Sequence, residues 1–240
     1  MNISIITVVK EDTDDLFVTW NSIFPFLSNK FKWIIKYSSI CSAEFIEKMP
    51  KNNNLIKVQS SDRSLYDAIN QSLEICETDY YMVIGAGDFL SSSFNEILDD
   101  LSHNQGREAY FYGCNLLRGS NNLYPDFNQI NTRMSCPHPS SILKVSNSLS
   151  IGGYSSSYYI ASDYEHLCNY IKNYTNLYQS NLIAVMFMGG GISDKRALEG
   201  MLEEELIRIR IFGSTPFGVY GRLLNFISIP LCRLLSNNFQ

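Results

Sequence analysis

The chain reads as an α/β protein with a mostly parallel central sheet flanked by helices. Three observations predict this. Apolar runs rich in β-branched and aromatic residues recur at Ile3 to Val9, Phe31 to Lys36, the segment NLIKVQ, Tyr80 to Ile84 and Ala109 to Leu116. Stretches with helical spacing separate them. The first run is continuous rather than alternating, which marks a strand covered on both faces. Strands alternating with helices imply right-handed crossovers and a parallel sheet.

Taken in order, Ile3 to Val9 is the first strand. Asp12 to Leu27 follows as a helix with Leu16, Trp20, Ile23 and Leu27 on one face, ended or kinked by Pro25. Phe31 to Lys36 is the second strand, Ser42 to Met49 a short helix and NLIKVQ a third strand. Leu65, Ala68, Ile69, Ser72, Leu73 and Cys76 share one helix face. Tyr80 to Ile84 is the fourth strand. Ser93 to Leu101 is a helix with a capping box, Ser93 with Glu96, and Ala109 to Leu116 the fifth strand. After Gly119 the alternation breaks. GSNNLYPDFNQINTR reads as a loop or irregular hairpin, HPSSILK as a short strand and SDYEHLCNYIKNY as a helix. NLYQSNLIAVMFM is another strand, and a GGG joint leads to a long helix from Asp194 to Ile211. The organisation expected is 1–118 as one half of a single domain, 119–212 as the other half, and 213–240 as a basic, apolar tail.

Bulk properties bound the function. The chain has 240 residues with 45% hydrophobic content, enough for one substantial core. A net charge of −5 argues against nucleic-acid binding. Cys41, Cys76, Cys114, Cys136, Cys168 and Cys232 form no CxxC pair and no Cys/His cluster, so structural zinc is not expected. The opening MNISIITVVK lacks a basic leader and a small-residue cleavage site, so it is expected to be a strand rather than a signal peptide. A cytoplasmic protein without a spanning helix is expected.

The residues that carry chemistry begin with DYYMVIGAGDFL, a buried strand delivering Asp88 through a Gly85-Ala86-Gly87 turn. A lone acid at the C-terminal edge of an open α/β sheet stands where such folds bind ligands. A carboxylate there suits a divalent cation, Mn2+ or Mg2+, bridging to a phosphate. Gly85 and Gly87 would let the backbone approach that phosphate; the plainer reading of all four residues is turn geometry.

The order SIITVV, SDRSLYDAINQSL, YYMVIGAGD, HPSS, GGYSSSYYIASDYE, GGGIS resembles a bacterial family 2 glycosyltransferase of the GT-A fold. Within that family it resembles the group that builds O-antigen, capsule or exopolysaccharide repeat units. The resemblance covers residues 1 to 212. It implies an inverting, metal-dependent transfer of a hexose or N-acetylhexosamine. The donor would be a nucleotide diphosphate, UDP-linked by the family's habit, and the acceptor a polyprenyl-linked saccharide. The first half would hold the donor and the second the acceptor. Asp88 would anchor metal and diphosphate, and Asp163 would be the catalytic base. Asp62, Arg63 and Asp67 would face the nucleotide, and His138 and Glu165 the acceptor. The chain departs from the pattern where Lys36 and Tyr37 replace an Asp-Gly pair expected to hold the base, where Ser64 replaces Gly, and where Pro139 replaces Gln.

Each assignment has a structural rival. Ser64 with Asp67 and Ser162 with Glu165 both fit capping boxes. Asp163 could merely complement a helix dipole. His103 and His166 read as surface. Lys36 could bind a phosphate or merely end a strand. RIRIFGSTPFGVYGRLLNFISIPLCRLLSNNFQ mixes Arg208, Arg210, Arg222 and Arg233 with apolar residues. It reads as an interfacial segment for the cytoplasmic face of a membrane, or as a packed helix or homodimer interface. A nucleotidyltransferase would need a Gly-rich basic loop after the first strand, which VVKEDTDD lacks. The non-enzyme alternative is a catalytically silent, GT-A-like nucleotide-sugar-binding or scaffold protein at the membrane.

Overall fold

The computed structural model describes residues 1–49, 51–119 and 121–213; the tail from 214 onward lies outside the described residues. Its centre is a nine-stranded sheet. β1 (Ile3–Val9) pairs in parallel with β2 (Phe31–Tyr37) and with β4 (Tyr80–Val83), and β3 (Leu55–Gln59) lies parallel on the outer side of β2. β8 (Ser141–Lys144) runs against both β4 and β6 (Ala109–Leu116), so β6 points the same way as the first four. β9 (Leu177–Phe187) lies parallel to β6. β5 (Phe89–Leu90) and β7 (Asn121–Leu123) are short antiparallel additions to β9 and β6.

Side chains alternate across the strands, and two cores result. Ile5, Trp33, Ile35 and Met82 pack on one face with α1 (Asp15–Ile23), α2 (Ala43–Glu47) and α4 (Phe94–His103). Ile6, Ile34, Tyr81 and Phe111 pack on the other with α3 (Leu65–Glu74), α5 (Val145–Ser150), α6 (Ser162–Asn173) and α8 (Ala197–Phe212). The predicted architecture is therefore present.

The departures are local. α1 starts three residues later than Asp12, because the Asp12 carboxylate accepts hydrogen bonds from Ser42 N (2.9 Å) and Ser42 Oγ (2.7 Å) across the sheet end. Pro25 opens a 3₁₀ turn, Phe24–Phe26, where its missing N–H does no harm. Ser93 adopts φ −89°, ψ 13°, outside the extended region of an N-cap, and makes no side-chain cap, so that capping box does not form. The long C-terminal helix is split: α7 (Ile192–Lys195) is a single turn, and Arg196 at φ −123°, ψ 38° separates it from α8. The segment after Gly119 pairs back on β6 through β7, the hairpin of the two expected forms. Among the described residues no helix is long and apolar enough to cross a membrane.

Candidate active site

Asp88 is held by its own turn. Asp88 N donates to Gly85 O at 3.1 Å. Thr19 Oγ1, on α1, donates to Asp88 O (2.7 Å) and accepts from Gly87 N (2.9 Å). Gly87 sits at φ +98°, a conformation that favours glycine. At Gly85 an added Cβ would stand 2.8 Å from Asp88 Oδ2, so glycine is required for the carboxylate to lie where it does. Asp88 Oδ1 accepts from Met188 N at 2.9 Å, joining this turn to the end of β9. The side chain is buried, and burial pushes its pKa up to about 6 against the pull of the Met188 and Gly85 backbone bonds.

Asp163 lies in the first turn of α6. Its Oδ1 accepts from Tyr164 N (2.8 Å) and from the Tyr66 hydroxyl (3.3 Å), which also donates to Ile160 O. The helix start does not keep this acid in the usual carboxylate range. Burial pushes it up to about 6, with the Tyr164 and Tyr66 bonds opposing. The loop before α6 is fixed by Glu203 of α8, whose carboxylate accepts from Tyr159 N (2.9 Å), Ile160 N (2.8 Å) and Ala161 N (2.8 Å). Sequence reasoning missed Thr19, Tyr66's bond and Glu203. Only Tyr66 stood in a motif; the other two act across long sequence separations.

Asp88 and Asp163 line one cavity of about 310 Å³, together with Gly85, Tyr66 and His138. His138 opens a 3₁₀ turn before β8, is buried, and meets the Tyr154 hydroxyl through Nε2 at 2.7 Å. Burial lowers its pKa to about 4, so it is neutral near pH 7. His166 is not at the surface. It is buried with Nδ1 2.9 Å from Gly153 O and Nε2 3.2 Å from the Tyr81 hydroxyl, and burial lowers its pKa to about 3. His166 completes a polar network with Tyr81, Tyr154 and Ser148 that seats His138 from behind.

A second cavity of about 470 Å³ adjoins the first, sharing Val8, Leu65 and Ile192. Asp62 and Arg63 line it, with Lys10 and Ser38 opposite. Four of the named residues lie elsewhere, Gly87 among them, since it serves only the turn. Asp67 lines neither cavity: it accepts from Arg63 N at 2.8 Å and its own N–H is capped by Ser64 Oγ at 3.2 Å, so the helix-capping reading accounts for it. Glu165 is 3% exposed and pairs with Arg210 at 2.7 Å, away from both cavities. Its capping box is also absent, since Ala161 is the N-cap and Ser162 Oγ donates to Ser155 O. Ala86 packs against the first core rather than into a cavity.

Among the described residues no group of three His, Cys, Asp or Glu side chains could cage a metal. Asp88 alone fits a different arrangement: a small hard cation bound by one carboxylate, with phosphates and waters completing its shell.

No family profile and no curated protein matches the chain. Solved structures do. Staphylococcus aureus TarS matches with a TM-score of 0.65 at 13% identity, over 86% of this chain and 39% of TarS. Residues 1–349 of TarS in complex with UDP-GlcNAc match at 0.64 and 12% identity, over 80% of this chain and 59% of that one. The mannosyltransferase PcManGT from Pyrobaculum calidifontis, in complex with GDP-Man and Mn2+, matches at 0.62 and 10% identity, over 85% and 64%. The chain shares their fold. It spans less than two thirds of the length of each of these three.

Proposed function

We propose that the chain is an inverting, metal-dependent sugar transferase of the family 2 type. It moves a hexose or N-acetylhexosamine from a nucleotide diphosphate, UDP in the first instance, to a lipid-linked glycan for a surface polysaccharide of the O-antigen kind. The observation that carries this reading is that two carboxylates from opposite halves of the chain, Asp88 and Asp163, line one cavity beside a second that holds Asp62 and Arg63. Two of the solved structures with this fold contain sugar nucleotides, and one contains Mn2+.

The nucleotide lies in the larger cavity, with Arg63 at its phosphates, and residues 1–118 supply most of its contacts. Asp88 would hold a divalent cation, whose charge would offset that of the departing diphosphate. Residues 119–212 bind the acceptor, with His138 as a neutral hydrogen-bonding wall. Asp163 Oδ2 takes the proton of the acceptor hydroxyl as its oxygen attacks the anomeric carbon from the face opposite the leaving group. The C–O bond to the diphosphate breaks with its electron pair, and the configuration inverts. A base with pKa near 6 is ionised at neutral pH yet basic enough to accept that proton. Holding donor and acceptor in line removes translational freedom before the chemical step. The tail, 213–240, attaches the protein to the cytoplasmic face of the membrane or joins a homodimer. Residues 214–240 of it lie outside the described residues.

Calorimetry with UDP and manganese tests the reading. Asp88→Ala should abolish metal-dependent binding. Asp163→Ala should leave binding intact and stop transfer; unimpaired transfer would remove it as the base. No metal-dependent binding would instead support the catalytically silent, GT-A-like binding protein.

A further inference from the structure

We propose that Lys36 is a positioning residue for the nucleoside. Its buried ammonium holds one oxygen of Asp62 so that the other faces the larger cavity as a hydrogen-bond acceptor. This rests on the reading of that cavity as the nucleotide site.

Lys36 lies in β2 between Val8 of β1 and Val58 of β3, in register, and shares a face with Ile34 beneath the start of α3. It is fully buried, which lysine almost never is without a partner. Its Nζ donates to Ser60 O at 2.6 Å and to Asp62 Oδ2 at 3.2 Å. A buried ion pair is often no more stabilising than apolar residues of the same volume, so what this pair holds in place matters more than its own contribution. It holds the loop Ser60 to Ser64. The same loop is pinned from α3, where Ser60 Oγ donates to Gln71 Oε1 (2.7 Å) and Gln71 Nε2 donates to Ser61 O (3.0 Å).

Ser61, Asp62, Arg63 and Ser64 all line the cavity, and Asp62 is the only carboxylate among the described residues that do. The chain leaving β2 offers Ser38, Ser39 and Ile40 to that cavity and no acid. With Oδ2 taken by Lys36, Asp62 has one oxygen left for a ligand donor. Uridine presents two kinds, the imino N–H of the base and the hydroxyls of the ribose. The positive charge of Lys36 thus replaces direct recognition from β2 by recognition through an acid on the neighbouring loop.

Calorimetry of UDP, N3-methyl-UDP and 2′-deoxy-UDP against wild type, Lys36→Met, Lys36→Arg and Asp62→Asn distinguishes the possibilities. Wild type should lose about tenfold in affinity for the analogue lacking the contacted donor, the scale of one charge-assisted hydrogen bond. Loss with the methylated base identifies the imino group, and loss with the deoxy sugar the hydroxyl. Lys36→Met should bind UDP about tenfold more weakly and no longer distinguish the analogues, and Lys36→Arg should restore both. Circular dichroism shows whether each variant folds. Should Lys36→Met not fold, Asp62→Asn must erase the discrimination and Lys36→Arg keep it, or the proposal fails. Wild type treating all three ligands alike, or Lys36→Met retaining wild-type discrimination, overturns the role of Lys36 and leaves the sugar-transferase reading standing. Wild type binding no nucleotide overturns both.

Discussion

Asp88 carries a stability consequence as well as a chemical one. Its folded pKa is near 6 while an exposed aspartate lies near 3.8. Between those values the folded state binds more protons than the unfolded state, so stability falls as pH rises from about 4 to 6 and stays low above. Two pKa units correspond to roughly 3 kcal/mol at most. Asp88→Asn keeps an acceptor for Met188 N and removes the buried charge. It should therefore raise the melting temperature at pH 8 without added metal, and that gain should vanish near pH 4. Melting curves at the two pH values check this; an equal gain at both would mean that packing, not charge, is responsible. At this scale the sequence pointed to two acids that the fold brings to one cavity, because a strand end followed by Gly-Ala-Gly-Asp and an acid opening an amphipathic helix are local patterns. It could not separate the roles of Asp67 and Glu165 from capping and ion pairing. Those depend on what stands opposite: Arg63 N for the first, and Arg210, 45 residues away, for the second. His166 misled for the same reason, since its helical neighbours say nothing about Gly153 and Tyr81 closing over it.

At the level of elements, α8 acts as a brace for α6 and thereby for Asp163. Arg208 is buried and pairs with Glu204 (3.1 Å) and Glu205 (2.9 Å) on its own helix while its guanidinium lies 5.5 Å from the Tyr164 ring centre. Glu203 receives three consecutive backbone N–H groups of the loop leading into α6, which have no other partner in that loop. Glu203→Ala should cost on the order of 3 kcal/mol, since hydrogen bonds to a charged acceptor are among the stronger ones and the donors lose their partner. Chemical denaturation measures that loss. If α8 also sets the position of Asp163, the turnover number should fall more than UDP affinity, because the larger cavity is lined mainly by the end of β1, the loop after β2 and the loop before α3, with Tyr159 the one lining residue bonded to Glu203. A drop in UDP affinity equal to the loss of turnover would show general loosening instead. A helix was legible in the sequence here, but not its break at Arg196. The brace was not legible either, because a run of glutamates between leucines reads equally well as a solvated face.

Across the whole molecule, the two halves of the chain share one sheet. The first half was readable because parallel strands covered on both faces leave continuous apolar runs. The second was harder. β8 enters between β4 and β6 against their direction, and β5 and β7 are too short to leave a period. That insertion is also what sets the His138 turn beside Asp88. Because β4 and β6 of the first half are joined only through β8 of the second, the first half alone would keep β1 to β4 but lose β5 and β6 from the sheet, and the strands of the second half pair only with those of the first. The chain should unfold in one cooperative step despite its length. Its two tryptophans, Trp20 and Trp33, are buried against each other in the first half, with ring centres 5.4 Å apart. Their fluorescence therefore reports on that half, whereas far-ultraviolet circular dichroism reports on both. The two signals should trace one curve in urea. A fluorescence midpoint displaced from the dichroism midpoint would mean that the halves fold separately, and that the pairing of β8 with β4 and β6 contributes little to holding the two acids at one cavity.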